Sequence, residues 1–117
     1  MAGPRGNSSK NFEVRSIATF DRQLKALAKK HASLKRDYAA LLDELERDPF
    51  IGAGLGNACY KVRMAITSKG KGKSGGARVI LHIVVRGHCV WLLAIYDKAD
   101  IDSIPMKEIK LLLKELP

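Results

Sequence analysis

The stretch CYKVRMAITSKGKGKSGGARVILHIVVRGHCVWLLAIY, residues 59–96, carries the pattern on which the fold turns. From Cys59 to Ile66 apolar and polar residues alternate. Tyr60, Val62, Met64 and Ile66 point one way, and Lys61 and Arg63 the other. A period of two marks a strand with one buried and one solvated face. Ala77 to Val85 and His88 to Tyr96 are richer in Val, Ile and Leu, with Arg86-Gly87 between them as a hairpin turn. Such runs suit central strands buried on both sides. Ser68-Lys-Gly-Lys-Gly-Lys-Ser-Gly-Gly76 joins the first strand to the second as a loop.

The pattern changes period on either side of this unit. Phe12 to Ile17 alternates and reads as a short strand with Phe12 and Val14 on one face. Thr19 can cap a helix that begins at Phe20, along which Phe20, Leu24, Leu27 and His31 recur at helical spacing. A second amphipathic helix carries Leu34, Tyr38, Leu41, Leu42 and Leu45, and Asp48-Pro49 ends it. The short link between the two predicts an antiparallel helical hairpin. Phe50 to Asn57 reads as a Gly-rich connector. Pro105 fits the first turn of a last helix whose apolar face is Met106, Ile109, Leu112, Leu113 and Leu116. The expected class is α+β, in the order β-α-α-β-β-β-α, with a mostly antiparallel sheet. The hairpin and the last helix are expected to cover one face, leaving Lys61, Arg63 and Arg78 on the other. Residues 1–11, rich in Gly, Ser, Asn and Lys, read as a disordered tail, and residues 12–117 as one domain.

Charge is distributed unevenly. From Pro49 to Tyr96 there is no Asp or Glu, but there are seven cations: Lys61, Arg63, Lys69, Lys71, Lys73, Arg78 and Arg86. The formal charge of +9 therefore arises mostly in one region, which is the footprint of a polyanion partner such as RNA or DNA. In the loop, glycines let backbone approach a phosphate, and no carboxylate stands near enough in sequence to pair with Lys69, Lys71 or Lys73. These three are read as contacts to nucleic-acid backbone.

Other classes of function are poorly supported. The two cysteines, Cys59 and Cys89, lie in predicted strands and read as free thiols, and the three histidines share no ligand spacing with them. No metal or other cofactor is expected. Gly72-Lys-Ser74 fails as a phosphate loop, because Thr67 stands where the first Gly belongs and a strand follows instead of a helix. Gly52-Ala-Gly-Leu-Gly56 follows a helix with the wrong spacing for a dinucleotide fingerprint. His82 and His88 read as structural or surface residues, and Trp91 as core. Tyr96 is expected to place its hydroxyl at a sheet edge, either as structure or as a contact to a base. No apolar run approaches the ~20 residues that span a bilayer, and no signal peptide is evident, so a cytoplasmic protein without membrane association is expected.

Taken together, Tyr60-Lys-Val-Arg63, the Ser68 to Arg78 loop and Leu92-Leu-Ala-Ile-Tyr-Asp-Lys98, followed by a C-terminal helix, resemble the RelE/ParE superfamily of bacterial toxins, and within it the HigB-type, RelE-like branch. The resemblance runs from Phe12 to the C-terminus. It implies the toxin of a type II toxin–antitoxin module that cuts mRNA on the ribosome and so inhibits translation. The implied partners are the ribosome, mRNA, a helix-turn-helix antitoxin and, through that complex, operator DNA. By the same resemblance Lys61 and Arg63 are the two basic positions of the second strand, and Arg78 opens the third. Clustered cations stabilise a phosphorane-like transition state and favour proton loss from one of their number. Lys61 is thus the candidate base, with Arg63 and Arg78 as phosphate clamps. RelE has an arginine after the last strand and a tyrosine in its C-terminal segment. Here that stretch reads Lys98-Ala99-Asp100, and no Tyr follows Tyr96. Lys98 or Tyr96 substitutes, or the general acid is missing. A non-catalytic RNA- or ribosome-binding module and a ParE-like gyrase inhibitor are the alternatives. Lys61, Arg63 and Arg78 are all expected to face solvent and to affect stability little.

Overall fold

The computed structural model describes residues 11–117, so all of the expected tail except Asn11 lies outside it. The elements are β1 (Glu13–Ser16), α1 (Ala18–Lys30), α2 (Leu34–Arg47), β2 (Ala53–Gly56), β3 (Cys59–Met64), a 3-10 turn (Thr67–Lys69), β4 (Ala77–Val84), β5 (Cys89–Asp97) and α3 (Met106–Leu113). The sheet order is β1-β5-β4-β3-β2, with β1 parallel to β5 and the other neighbours antiparallel. The two most apolar strands, β4 and β5, are central, as their composition requires.

β2 was expected as connector. Its sequence, Ala-Gly-Leu-Gly, has no alternating pattern, and pairing with β3 alone makes it a strand. Asn57 and Ala58, both at positive φ, form the two-residue turn between them. Thr19 is not a helix cap. The helix begins at Ala18, after Ile17, and the Thr19 hydroxyl instead donates to Glu115 Oε2 at 2.6 Å, tying the start of α1 to the C-terminal segment. Pro105 precedes α3 as its N-cap.

Register fixes which side chains share a face. Val62, Val79 and Ile95 lie in one row and point towards the helical hairpin, whose Phe20, Leu27, Leu34, Leu41 and Leu45 fill the core. Full burial of each such side chain contributes about 1.5–3 kcal/mol. The next row, Lys61, Ile80 and Ala94, points the other way. Yet Ile80 is 1% exposed and Ala94 0%. α3, packed on β5 with Ile109 and Leu112 buried, supplies that cover. The last helix therefore does not join the hairpin on one face, as expected, but covers the opposite one. That face stays open near Lys61 and Arg63, and at its other end around Val84 and Trp91. Trp91, expected in the core, is half-buried on the same side, 5.9 Å beneath the Arg15 guanidinium.

A bulge lies at the centre of the sheet. Ile80 faces Ala94 and Leu81 faces Leu92, so Leu93 is an extra residue in β5. The Ile95 N–H, beyond the end of β1, donates to Gln23 Oε1 of α1 at 3.0 Å.

Two glycines of the loop should respond differently to alanine. A Cβ on Gly76 would lie 2.2 Å from the Met64 carbonyl oxygen, whereas one on Gly72 meets open space at φ +66. Gly76→Ala is expected to destabilise by about 3 kcal/mol through backbone displacement. Gly72→Ala is expected to lose only about 1 kcal/mol to left-handed strain. Urea unfolding of the two variants measures both.

Candidate functional site

The site grows from one row across the sheet. Arg63 of β3 faces Arg78 of β4, and Arg78 faces Tyr96 of β5. Beside this row opens a cleft of about 540 Å³. Five cationic side chains line it, Lys61, Arg63, Lys73, Arg78 and Lys98, together with the carboxylates of Glu44 and Asp102. The basic candidates named from sequence thus converge, except for Lys69 and Lys71, which are not among the described lining residues.

Two residues of the row across the sheet are less open than expected. Arg78 is 6% exposed, not solvent-facing. Its Nη1 donates to the carbonyls of Lys73 (3.1 Å) and Ala77 (3.2 Å), and its Nη2 to that of Ser74 (3.0 Å). The guanidinium holds the end of the loop in place and offers the cleft only its remaining donors. Tyr96 is 5% exposed, and β5 is a central strand, so its hydroxyl does not lie at a sheet edge. That hydroxyl is buried without a hydrogen-bond partner among the described residues. Burial pushes the phenol pKa up, Arg78 opposes this, and Asp102 adds to it. The sequence showed these residue types but not that both adjoin covered strands.

The three loop lysines also divide. Lys69, expected to lack a carboxylate, donates from Nζ to Asp97 Oδ1 at 2.8 Å and is half-buried. Asp97 Oδ2 lies 3.2 Å from His31 Nε2, just beyond α1. Burial raises the Asp97 pKa, but the Lys69 bond, the Ala99 N–H and the charges of Lys69 and His31 outweigh it and hold the carboxyl below its ordinary value. Asp37 of α2 binds both the Thr67 N–H (2.9 Å) and the Thr67 hydroxyl, while Ser33 Oγ accepts from the Ser68 N–H (2.8 Å). Its pKa is also lowered, because bonds from Thr67 and Ser33 outweigh the effect of burial. Lys71 and Lys73 stay exposed.

The acids at the site come from outside the acid-free segment, whose composition gives no sign of them. Glu44 and Asp37 stand seven residues apart on α2, two turns on the same side, and both face the edge of β3. Asp102 pairs with Lys98 four residues earlier. Its pKa is lowered by that bond first and by the nearby Lys61 charge last. Among the described residues no group of His, Cys, Asp and Glu could hold a metal ion. His82 Nδ1 lies 3.1 Å from the Asn57 carbonyl and 3.7 Å from Cys59 Sγ, away from the cleft lining. The His88 ring packs on Phe12 at 5.0 Å.

The fold is that of the RelE-type toxins. Among solved structures it is similar to a chain of the RelBE2 toxin–antitoxin complex of Mycobacterium tuberculosis (TM-score 0.54, 22% identity, over 77% of this chain and 94% of that one). It is also similar to an arginine-to-alanine mutant of the E. coli toxin RelE in the free state (TM-score 0.54, 17% identity, 90% and 93%). The isolated E. coli RelE toxin gives a TM-score of 0.51 at 16% identity over 90% and 99%. No protein-family model and no curated protein matches the chain.

Arg78→Ala should destabilise by about 1–3 kcal/mol, since it removes three hydrogen bonds from a buried guanidinium to backbone carbonyls. Arg63→Ala, at an exposed position, should change stability by less than about 0.5 kcal/mol. Denaturant titration of both variants decides. The pH dependence follows from Asp37 and Asp97, whose folded pKa values lie below the unfolded value of 3.8. The unfolded chain binds more protons as pH falls past 3.8, so the stability from both groups is complete above that value and is lost as pH drops through the folded ones. The urea midpoint should be lower near pH ~3 than near pH ~6, and Asp37→Asn should flatten the difference.

Proposed function

We propose that this chain is the toxin of a bacterial type II toxin–antitoxin module, a ribosome-dependent mRNA endoribonuclease acting in the cytoplasm. The observation that carries this reading is the cleft, in which Lys61, Arg63, Lys73, Arg78 and Lys98 meet on a RelE-type fold. Cleavage of RNA by its own 2′-OH needs a proton removed, a phosphate whose added negative charge is stabilised, and a proton returned to the departing 5′-oxygen. A cluster of fixed cations supplies the second need directly. Arg63 is open to a phosphate and serves as a clamp. Arg78 acts through its remaining donors and by holding the loop that carries Lys73.

For the first proton, Lys61 is the assigned base, and Glu44 is a second acceptor in the same cleft. For the last proton, Lys98 is favoured over Tyr96. Lys98 lines the cleft, while Tyr96 is not among the described residues that do. Tyr96 keeps its proton, because burial raises its pKa. Lys71, exposed on the loop, and Lys73 at the rim are suited to grip RNA backbone, and Lys69 contributes through its bond to Asp97. The likeness to a chain of a toxin–antitoxin complex supports a cognate antitoxin, which we take to be a helix-turn-helix protein that brings the pair to operator DNA.

Primer extension on a reporter mRNA in a reconstituted translation system tests the reading. Discrete cuts that need ribosomes are expected. Lys61→Ala and Arg63→Ala should each lower cleavage by about 10²–10³-fold, as for loss of one transition-state donor. Intact mRNA with blocked translation would favour the non-catalytic ribosome binder. If translation continued normally, gyrase inhibition would become the leading alternative.

A further inference from the structure

The lysine-rich loop is held in two different ways. Its end is fixed by Arg78, which binds the carbonyls of Lys73 and Ser74. Its start is fixed by carboxylates from distant elements, Asp37 on Thr67 and Asp97 on Lys69. Of these, Asp97 has the wider reach. It is 6% exposed and makes contacts in three directions. Oδ1 accepts from Lys69 Nζ at 2.8 Å and from the Ala99 N–H at 2.9 Å, while Oδ2 lies 3.2 Å from His31 Nε2. Lys98, the neighbour of Ala99, has its own N–H bonded to the Gly76 carbonyl at 3.0 Å. One buried carboxylate thus joins the loop that delivers Lys73 to the segment that delivers Lys98, and joins both to the end of α1.

A buried ion pair is a weak way to gain stability, because desolvation offsets much of the attraction. It is an effective way to specify geometry, since an unpaired partner would be strongly disfavoured. Lys69 could have met solvent or phosphate alongside Lys71, but it turns inward to Asp97. The geometry points to Asp97 as a positioning residue: through Lys69 and Ala99 it sets Lys73 and Lys98 against the same phosphate across the cleft. Asp97 is not among the described residues lining the cleft and takes no part in bond cleavage. The inference rests on the reading of the cleft as the site of RNA cleavage.

The test uses the full chain with Asp97→Asn, with Lys69→Met, and with both. The double variant removes both buried charges and leaves the net charge unchanged. Its thermal midpoint should return close to that of the wild type, and its affinity for a single-stranded RNA oligonucleotide should stay within about threefold, since affinity follows net charge. Its saturating turnover on ribosome-bound mRNA should still be about ten- to a hundredfold below wild type, because the cations are misplaced. Wild-type turnover in the stable double variant would overturn the proposal and leave Asp97 a purely structural role. If the double variant does not fold, Lys69→Met alone is compared at saturating substrate, where its lost charge weakens binding but not turnover, and Asp97 keeps its contacts to Ala99 and His31. Absence of cleavage by the wild type would count against the endoribonuclease reading instead. Amide hydrogen exchange across Thr67 to Gly76 then decides on anchoring: faster exchange in the stable variant supports it, and unchanged exchange overturns it.

Discussion

The pairing of β4 with β5 is the interaction on which the rest of this structure depends. The middle of both strands is covered on both faces, by the helical hairpin on one side and α3 on the other. Their register puts Arg78 beside Tyr96 and Ala77 beside Asp97. A shift of one residue would send each of these side chains to the opposite face. The floor of the cleft and the anchor of the basic loop are therefore set by the same ladder that holds the core. The bulge at Leu93 keeps this register compatible with burial at both ends of the pair, and Gln23 satisfies the N–H left free beyond β1.

Charge in this protein is sorted by depth. The acid-free segment supplies the cleft's cations other than Lys98, but α2, the end of β5 and the segment after it return carboxylates to chosen places. Asp37 and Asp97 engage the start of the loop, where the chain must be fixed, and Asp102 engages Lys98 at the rim. Lys61, Arg63, Lys71 and Lys73 form no ion pair among the described residues. The proposed polyanion site needs both outcomes. Fully solvated lysines bind weakly and without fixed geometry, and fully paired ones have no charge to offer a phosphate. Arg78 stands between the two cases, with its guanidinium shared between backbone carbonyls and the cleft.

Much of this was legible in residue order. Alternation in Cys59 to Met64 and the continuous apolar runs of β4 and β5 mark three strands, because local periodicity reflects which faces are buried. The two helices of the hairpin follow from the same rule at a different period. β2 was not legible, since Ala-Gly-Leu-Gly has no face of its own and becomes a strand only beside β3. The face taken by α3 was not legible either, because an amphipathic helix states that it has a partner without saying which. Asp37 and Glu44 could have been found from their shared side of α2, two turns apart, once the helix was known to lie along β3.

The sequence by itself determined the α+β class, the central strands and the gathering of cations into one segment, since these depend on composition and on spacing along the chain. Only the tertiary structure decided which of those cations remain free. Lys69 and Arg78 look like Lys71 and Arg63 in the sequence. They differ because strand register and loop path bring one to a carboxylate at the end of β5 and the other under backbone carbonyls. Pairing and burial act over a few ångströms through space, and residues far apart in the chain supply the partners.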